Sequence, residues 1–436
     1  MCLRGTPLSW PRSFPFSGHA VAVAVCLQAD ASENMFLSTM QKNTKESLNN
    51  LSFNPRLNTV LVSESININL PYSEPFRLTV ERKINHSNGD VSFISGDHNS
   101  ANEMHITVNE SGAVGFMRNA KGRFKLTYSD DSFQVITPDI MRDYFAPSNA
   151  LDYRKPPLKL ASASGSKLGE QSSPSNSSQT EELVTIDVMV VYNEQIKQRL
   201  GSNLQTRINQ LVSLANRAFD DSNTNTEIVL VHSELTDYTN NSTTPQALDD
   251  LTQGVGKLSG VASLRIDKKA DLVILLRDYD ASTHSFCGFA WILGANGEIS
   301  MQQRDFGYSV VQDGISGNSF CLDSTLAHVI GHNLGSLHDR NNSGGGSGIL
   351  LFSHGHDVSG QFFTVMSLDK NGREIGLFSN PRISCLGLPC GISSSSINSA
   401  DNALSISRVS AGIGEFFVSK SAGATIVPII NTILLE

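Results

Sequence analysis

Between Thr325 and Arg340 the chain reads TLAHVIGHNLGSLHDR. His328 and His332 are four positions apart, so on a helix their imidazoles leave the same face and can share one metal ion. Asp323-Ser324-Thr325 supplies N-cap candidates for that helix. Gly335, one turn after His332, can take the left-handed conformation that ends it. Ending there lets the chain turn back and carry His338 towards the same point. A single His on an apolar helix is ordinarily a core residue; three at these intervals, with Gly where the turn is needed, are not explained that way. Three neutral imidazoles with one position left open are the ligand set of a catalytic zinc site, not of a closed structural one. The cofactor expected is therefore zinc, held by His328, His332 and His338.

Other groupings carry less chemistry. Gly344–Gly348 (GGGSG) lacks the Lys and the helix of a phosphate loop and reads as a flexible insertion. His354 and His356 (HGH) are metal-competent types but stand as a pair. Of six cysteines, Cys2 and Cys26 lie at the N-terminus, and Cys287, Cys321, Cys385 and Cys390 in the second half. No C-x-x-C occurs, so a zinc ribbon or redox pair is disfavoured; two structural disulfides in an oxidising compartment fit better. The four allow three pairings.

The elements that must position these residues follow from the patterning of all 436 residues. A net charge of −9 without basic clusters argues against nucleic acid as a partner. Hydrophobic residues make up 39% but are too dispersed for a polytopic membrane protein. Charged residues at 17% fall below the usual ~25%, with Ser, Asn and Gly in their place, which suits an exported chain. Residues 1–31 read as a signal peptide: Arg4 and Arg12, an apolar run from His19 to Leu27, and a small-x-small site at Ala29-Asp30-Ala31. Residues 32–159 read as a β-rich domain, with strands expected at Thr59–Ser63, Phe76–Val80 and Val91–Ile94 and a turn at Asn88-Gly89-Asp90. Phe116, Phe124–Tyr128 and Phe133–Ile136 continue that meander. Residues 160–182, rich in Ser, cannot bury apolar surface and read as a linker and natural proteolytic target.

From 183 to 418 the pattern is α/β. Leu183–Tyr192 is a nearly continuous β-branched run, as in a central strand. Leu204, Ile208, Leu211, Leu214, Ala215 and Phe219 recur at helical spacing and predict an amphipathic helix. Strands are expected at Glu227–His232, Asp271–Arg277, Phe289–Ile292 and Tyr308–Val311, with a helix near Pro245–Gly256 and a turn at Gly294–Gly297. This predicts a mixed sheet with helices packed against it. Residues 419–436 form a tail whose apolar run, Ala424–Leu435, is too short to span a bilayer.

The pattern His328-x-x-x-His332-x-x-Gly335-x-x-His338-Asp339 resembles the zinc signature of the metzincin metalloproteases. Gly331-His332-Asn333-Leu334-Gly335 with the trailing Asp339 is most similar to the reprolysin-like (adamalysin-type) branch. Phe363-Thr364-Val365-Met366-Ser367 resembles the Met-turn, which implies that Met366 makes an apolar floor under the ligands. Phe378-Ser379-Asn380-Pro381 and Asp401-Asn402-Ala403 resemble elements of bacterial members. Cys287-Gly288-Phe289-Ala290-Trp291 is similar to the segment before the edge strand along which substrates lie. The resemblance runs from Leu183 to Val418, and the strand-rich first half is similar to the propeptide of secreted members. It implies an α/β (α+β) metzincin-type domain behind a propeptide-like domain, acting on peptides as a secreted or periplasmic monomer. In that arrangement Cys287 pairs with Cys321 and Cys385 with Cys390, the latter across the turn-forming Leu386-Gly387-Leu388-Pro389.

One position departs from the family. Val329 follows the first ligand, where the family has the glutamate that takes a proton from the zinc-bound water. Valine cannot do this, and losing a general base costs about 10²–10⁴ in rate, roughly 3–5 kcal/mol of barrier. No nearby acid is an obvious substitute: Asp339 resembles the family's structural aspartate, Asp323 lies before the helix, and Glu374 is the remaining acid to check. Two functions compete: a pseudoprotease that binds a peptide or partner by strand addition, and a working metalloendopeptidase with low activity or a replacement acid; a purely structural role is a third.

Overall fold

The computed structural model describes residues 60–68, 76–110, 112–120, 122–129, 132–136, 151–157 and 182–417, except 295–296, 318 and 369–370, together with short strands at 26–29, 33–36 and 47–49. Residues 1–25, most of the linker and the apolar tail lie outside the described residues. The strand Cys26–Ala29, inside the expected leader, pairs with Glu33–Phe36 and Ser65–Ile68.

Short β-prone runs joined by tight turns make consecutive strands between Arg82 and Ile136 antiparallel neighbours. Ser47–Asn49 (β1), Arg82–Asn85 (β2), Val91–Ser95 (β3), Glu103–Val108 (β4), Ala113–Asn119 (β5), Gly122–Ser129 (β6) and Ser132–Ile136 (β7) form one sheet in the order β1-β7-β6-β5-β4-β3-β2. The β2–β3 turn uses Gly89 at φ +91°, as the Asn-Gly pair predicts. The strand expected at Thr59–Ser63 is not formed. Glu64 N–H donates to Leu61 O, Ser63 has φ +74°, and Leu61 and Val62 are exposed, so this run is a turn and the strand begins at Ser65.

The second unit is a mixed α/β layer. Val184–Asn193 (β9) lies between Thr226–Thr236 (β10) and Leu272–Asp278 (β11), parallel to both. Covered on both faces, β9 can be nearly all apolar. Next come Tyr308–Asp313 (β13), parallel to β11, and Gly288–Trp291 (β12), antiparallel to β13. The outermost strand is supplied by residues from before the linker: Tyr153–Arg154 (β8) runs parallel to β12. The order is β8-β12-β13-β11-β9-β10.

Glu194–Leu200 (α1), Leu204–Asp221 (α2), Thr244–Gln253 (α3), Val261–Lys268 (α4), Thr325–Asn333 (α5) and Asn402–Gly414 (α6) pack on this sheet. The α2 helix forms where its apolar spacing predicts, but its polar face is not solvated. Fourteen of its 18 residues are buried, because the N-terminal sheet covers the side that the central sheet leaves free. Ile208, Leu211, Ala215 and Phe219 join the main core. On the opposite face Ser213 Oγ meets His105 Nε2 at 2.9 Å, Asn209 donates to Asp90 at 3.0 Å, and Arg217 donates to Gly96 O at 2.7 Å. Buried polar groups such as these three are tolerated there because they find partners across the contact. Among the described residues no helix is long and apolar enough to cross a membrane.

Asp271, at the head of β11, accepts the N–H groups of Asp187 and Phe417 and so ties β9 to the end of the described chain. Burial raises its carboxyl to about 7. The folded state then keeps a proton that the unfolded chain gives up above about pH 4, so this group's contribution to stability falls as pH rises from about 4 to about 7. Asp271→Asn is expected to remove that fall. Urea midpoints at pH 5 and pH 7 test it, and an unchanged difference between the two would refute it.

Candidate metal centre

The α5 helix carries His328 and His332 on one face, and its start is held by tertiary contacts, not by a side-chain cap. Ser324 is the N-cap residue but makes no capping bond; its hydroxyl goes to Glu374. Thr325 Oγ1 returns to Leu322 O, and Asp323 faces Arg207 and Lys125. The expected cap is therefore replaced by a disulfide and an ion-pair network. Cys321 is bonded to Cys287 beside β12, with Cα atoms 5.3 Å apart, and Cys385 to Cys390, with Cα atoms 5.1 Å apart.

Gly335 ends the helix at φ +76°, where Ser336 N–H reaches Gly331 O. A Cβ there would also fall 2.6 Å from Ile349 Cγ2, so the position requires Gly on two counts. The chain doubles back and brings the His338 ring to 4.9 Å from His332 and 5.3 Å from His328, centroid to centroid. Each Nδ1 faces a backbone carbonyl: Val365 O at 2.8 Å from His328, Ser336 O at 2.9 Å from His332, Asn342 O at 3.4 Å from His338. A carbonyl only accepts, so Nδ1 carries the proton and the Nε2 lone pair points inward. Burial lowers His332 to about 4, which keeps it neutral.

The floor and wall follow the same logic. Met366 is fully buried, and a Cβ on Gly331 would meet its sulfur at 2.5 Å, so helix and Met-turn are in direct contact. Asp339 accepts from Leu368 N–H at 2.9 Å, Ser367 Oγ and the Asn342 amide, joining the loop of the third histidine to that turn. His354 Nδ1 meets His338 O at 3.0 Å and steadies the same loop. Among the described residues His354 and His356 join no group of three metal-ligating side chains.

The fourth group at the centre has no signal in the sequence. Asp152, 176 positions before His328, lies 3.2 Å from His328 Nε2, 3.1 Å from His332 Nε2 and 2.7 Å from His338 Nε2. His338 Nε2 makes no hydrogen bond even at that distance. Lone pairs and a carboxylate converging on one buried point are a poor hydrogen-bond network and a good cation site. The donor set of three imidazoles and a carboxylate fits zinc. Asp152 is seated by its neighbours: Ala290 N–H donates to Asp152 O, Tyr153 packs on His332 with its hydroxyl on Ser343 O, and Arg154 pairs with Asp249. The Gly-rich segment joins this cover, with Gly344 against Leu151.

Val329 is fully buried and faces β12, where a Cβ on Gly288 would lie 2.4 Å from its Cγ1. Neither acid considered as a substitute is free. Asp323 pairs with Arg207 and Lys125, and Glu374 with Arg123 and Ser324. The remaining metal-type group, His98 with Cys385 and Cys390, has its sulfurs in a disulfide.

Known proteins resemble this chain. The "Peptidyl-Asp metalloendopeptidase" of Pseudomonas aeruginosa is 28% identical over 261 residues, 55% of this chain and 41% of that protein. The protein of the same name from Xanthomonas campestris pv. campestris is 27% identical over 236 residues, 53% of this chain and 52% of its own length. The chain thus spans about half the length of the curated relatives it matches. Among solved structures, metalloproteinase-II from Bacteroides fragilis aligns with a TM-score of 0.40 at 14% identity, over 65% of this chain and 85% of that one. Zinc is the cofactor that the family match and the three-histidine group together indicate. Residues 183–396, which carry all three histidines, match the family described as Metallo-peptidase family M12B Reprolysin-like.

Proposed function

We propose that this chain is a secreted, zinc-binding protein of the metzincin type in which peptide-bond hydrolysis is severely impaired. His328, His332 and His338 hold the ion, and Asp152 caps it from within the chain. Zinc bound there supplies Lewis-acid polarisation and acidifies a bound water. Hydrolysis also needs an open position for that water and a base beside it. Asp152 stands in the first place and Val329 in the second. The observation that carries this reading is the convergence of three Nε2 atoms on Asp152, with valine at the motif position where the family has its base. Two disulfides, sparse charge and the apolar leader run support export.

A second reading, recognition of an extended peptide, is favoured by one contact. The edge of β12 already accepts a strand, the chain's own β8. A partner peptide, the ligand class implied by the relatives' name, would take that edge only by displacing 151–157.

Metal analysis after dialysis should find about one zinc per chain, and near none once all three histidines are changed to Ala. Equal contents would sink the site. Asp152→Ala should keep the zinc but open a coordination position, so the visible spectrum of the cobalt-substituted protein is expected to change on that substitution; an identical spectrum would remove Asp152 from the ligand set.

Casein hydrolysis by the native chain should be at background. Val329→Glu alone should stay silent while Asp152 occupies the centre, and Val329→Glu with Asp152→Ala should raise the rate by about 10² or more. Robust chelator-sensitive hydrolysis by the native protein would overturn the reading.

A further inference from the structure

Lys125 and Arg123 lie on β6 of the N-terminal sheet, yet their side chains are only 2% and 10% exposed. Both point into the second unit, at the base of the metal helix. Lys125 Nζ is 2.9 Å from Asp323 and 3.8 Å from Asp313, and donates to Cys321 O at 3.3 Å. Arg123 reaches Asp323 at 3.5 Å and pairs with Glu374. From its own side the second unit offers Arg207, shared between Asp313 and Asp323, and Arg199, shared between Asp313 and Asp278. Four carboxylates therefore face two guanidinium groups, and the two missing positive charges come from the N-terminal sheet.

Such charges are tolerated in a buried place only when paired, and removing one side strands the other. Taking the sheet away would strip Glu374 of Arg123 and leave Asp323 only its share of Arg207, next to Cys321 and the first turn of α5. It would also expose the polar face of α2, including Arg217, which pairs with Glu103 of β4.

We infer that the N-terminal sheet is a permanent partner of the metal-helix unit, keyed by Lys125 and Arg123, and that cutting the connection at 160–182 does not release it. Asp152 precedes that connection, so it stays with the sheet and over the metal centre. Linker cleavage is then a nick and not an unmasking. The inference goes beyond the proposed function and does not depend on zinc.

The test places a site-specific protease sequence within 160–182 of the full chain, cuts the purified protein, and follows both fragments by size-exclusion chromatography with a chelator present. The wild-type fragments should co-elute, and those carrying Lys125→Met with Arg123→Met should separate. Separation of the wild-type fragments, or co-elution of the double variant to the same extent, would overturn the inference. Should the double variant not fold, thermal midpoints of the intact chain decide. Lys125→Met should lower the midpoint by roughly 5 °C or more, and adding Asp323→Asn should restore part of it. A purely additive further loss counts against charge keying. Because the chelator is present throughout, failure of zinc binding leaves this readout unaffected.

Discussion

Three imidazole nitrogens cannot share one buried point with their lone pairs inward unless something positive or acidic sits among them. That constraint organises the second unit. It explains why each Nδ1 is turned to a backbone carbonyl and why Gly335 turns the chain so sharply. It also accounts for Asp339, which ties the returning loop to the Met-turn through Leu368 and Ser367. A ligand set held only by α5 would splay. Here a disulfide, a turn and a carboxylate brace hold it from three sides.

Holding a metal and using it make different demands on such a centre. Two features of a hydrolytic site are an open coordination position and an adjacent base. On the proposed reading Asp152 takes the first, while Val329, packed on Gly288, offers no proton acceptor for the second. Gly288 and Val329 are complementary in shape: a larger residue at 288 would clash with the isopropyl group. A carboxylate at 329 would have to turn away from β12 and into the cleft.

Helix α2 joins the two halves. One face supplies Ile208, Leu211 and Phe219 to the main core, and the other meets the N-terminal sheet through Asn209, Ser213 and Arg217. A helix that looks amphipathic usually has a solvated side. In this chain the polar side is an interface, and its hydrogen-bond partners stand about a hundred residues upstream. Polarity on a helix face reports the need for partners, not the identity of those partners as water.

Local chemistry was legible before any coordinates. The i, i+4 histidines, the Gly turn and the Met366 segment are short-range patterns, and short-range geometry is the same in any helix or turn. The β-branched run of β9 and the apolar spacing of α2 were legible for the same reason. The strand expected around Leu61 failed because its residue types suit a strand while the Glu64-to-Leu61 hydrogen bond closes a turn there. Asp152 was invisible: nothing in Leu151-Asp152-Tyr153-Arg154 announces a ligand, and only the parallel pairing of β8 with β12 brings it to the histidines. The partners of Asp323 and Glu374 were equally hidden, since Lys125 and Arg123 are distant in sequence and adjacent only once two sheets close on α2. Periodicity along one chain encodes how a segment folds on itself; which segments then meet is decided by packing and by the need to pair every buried charge.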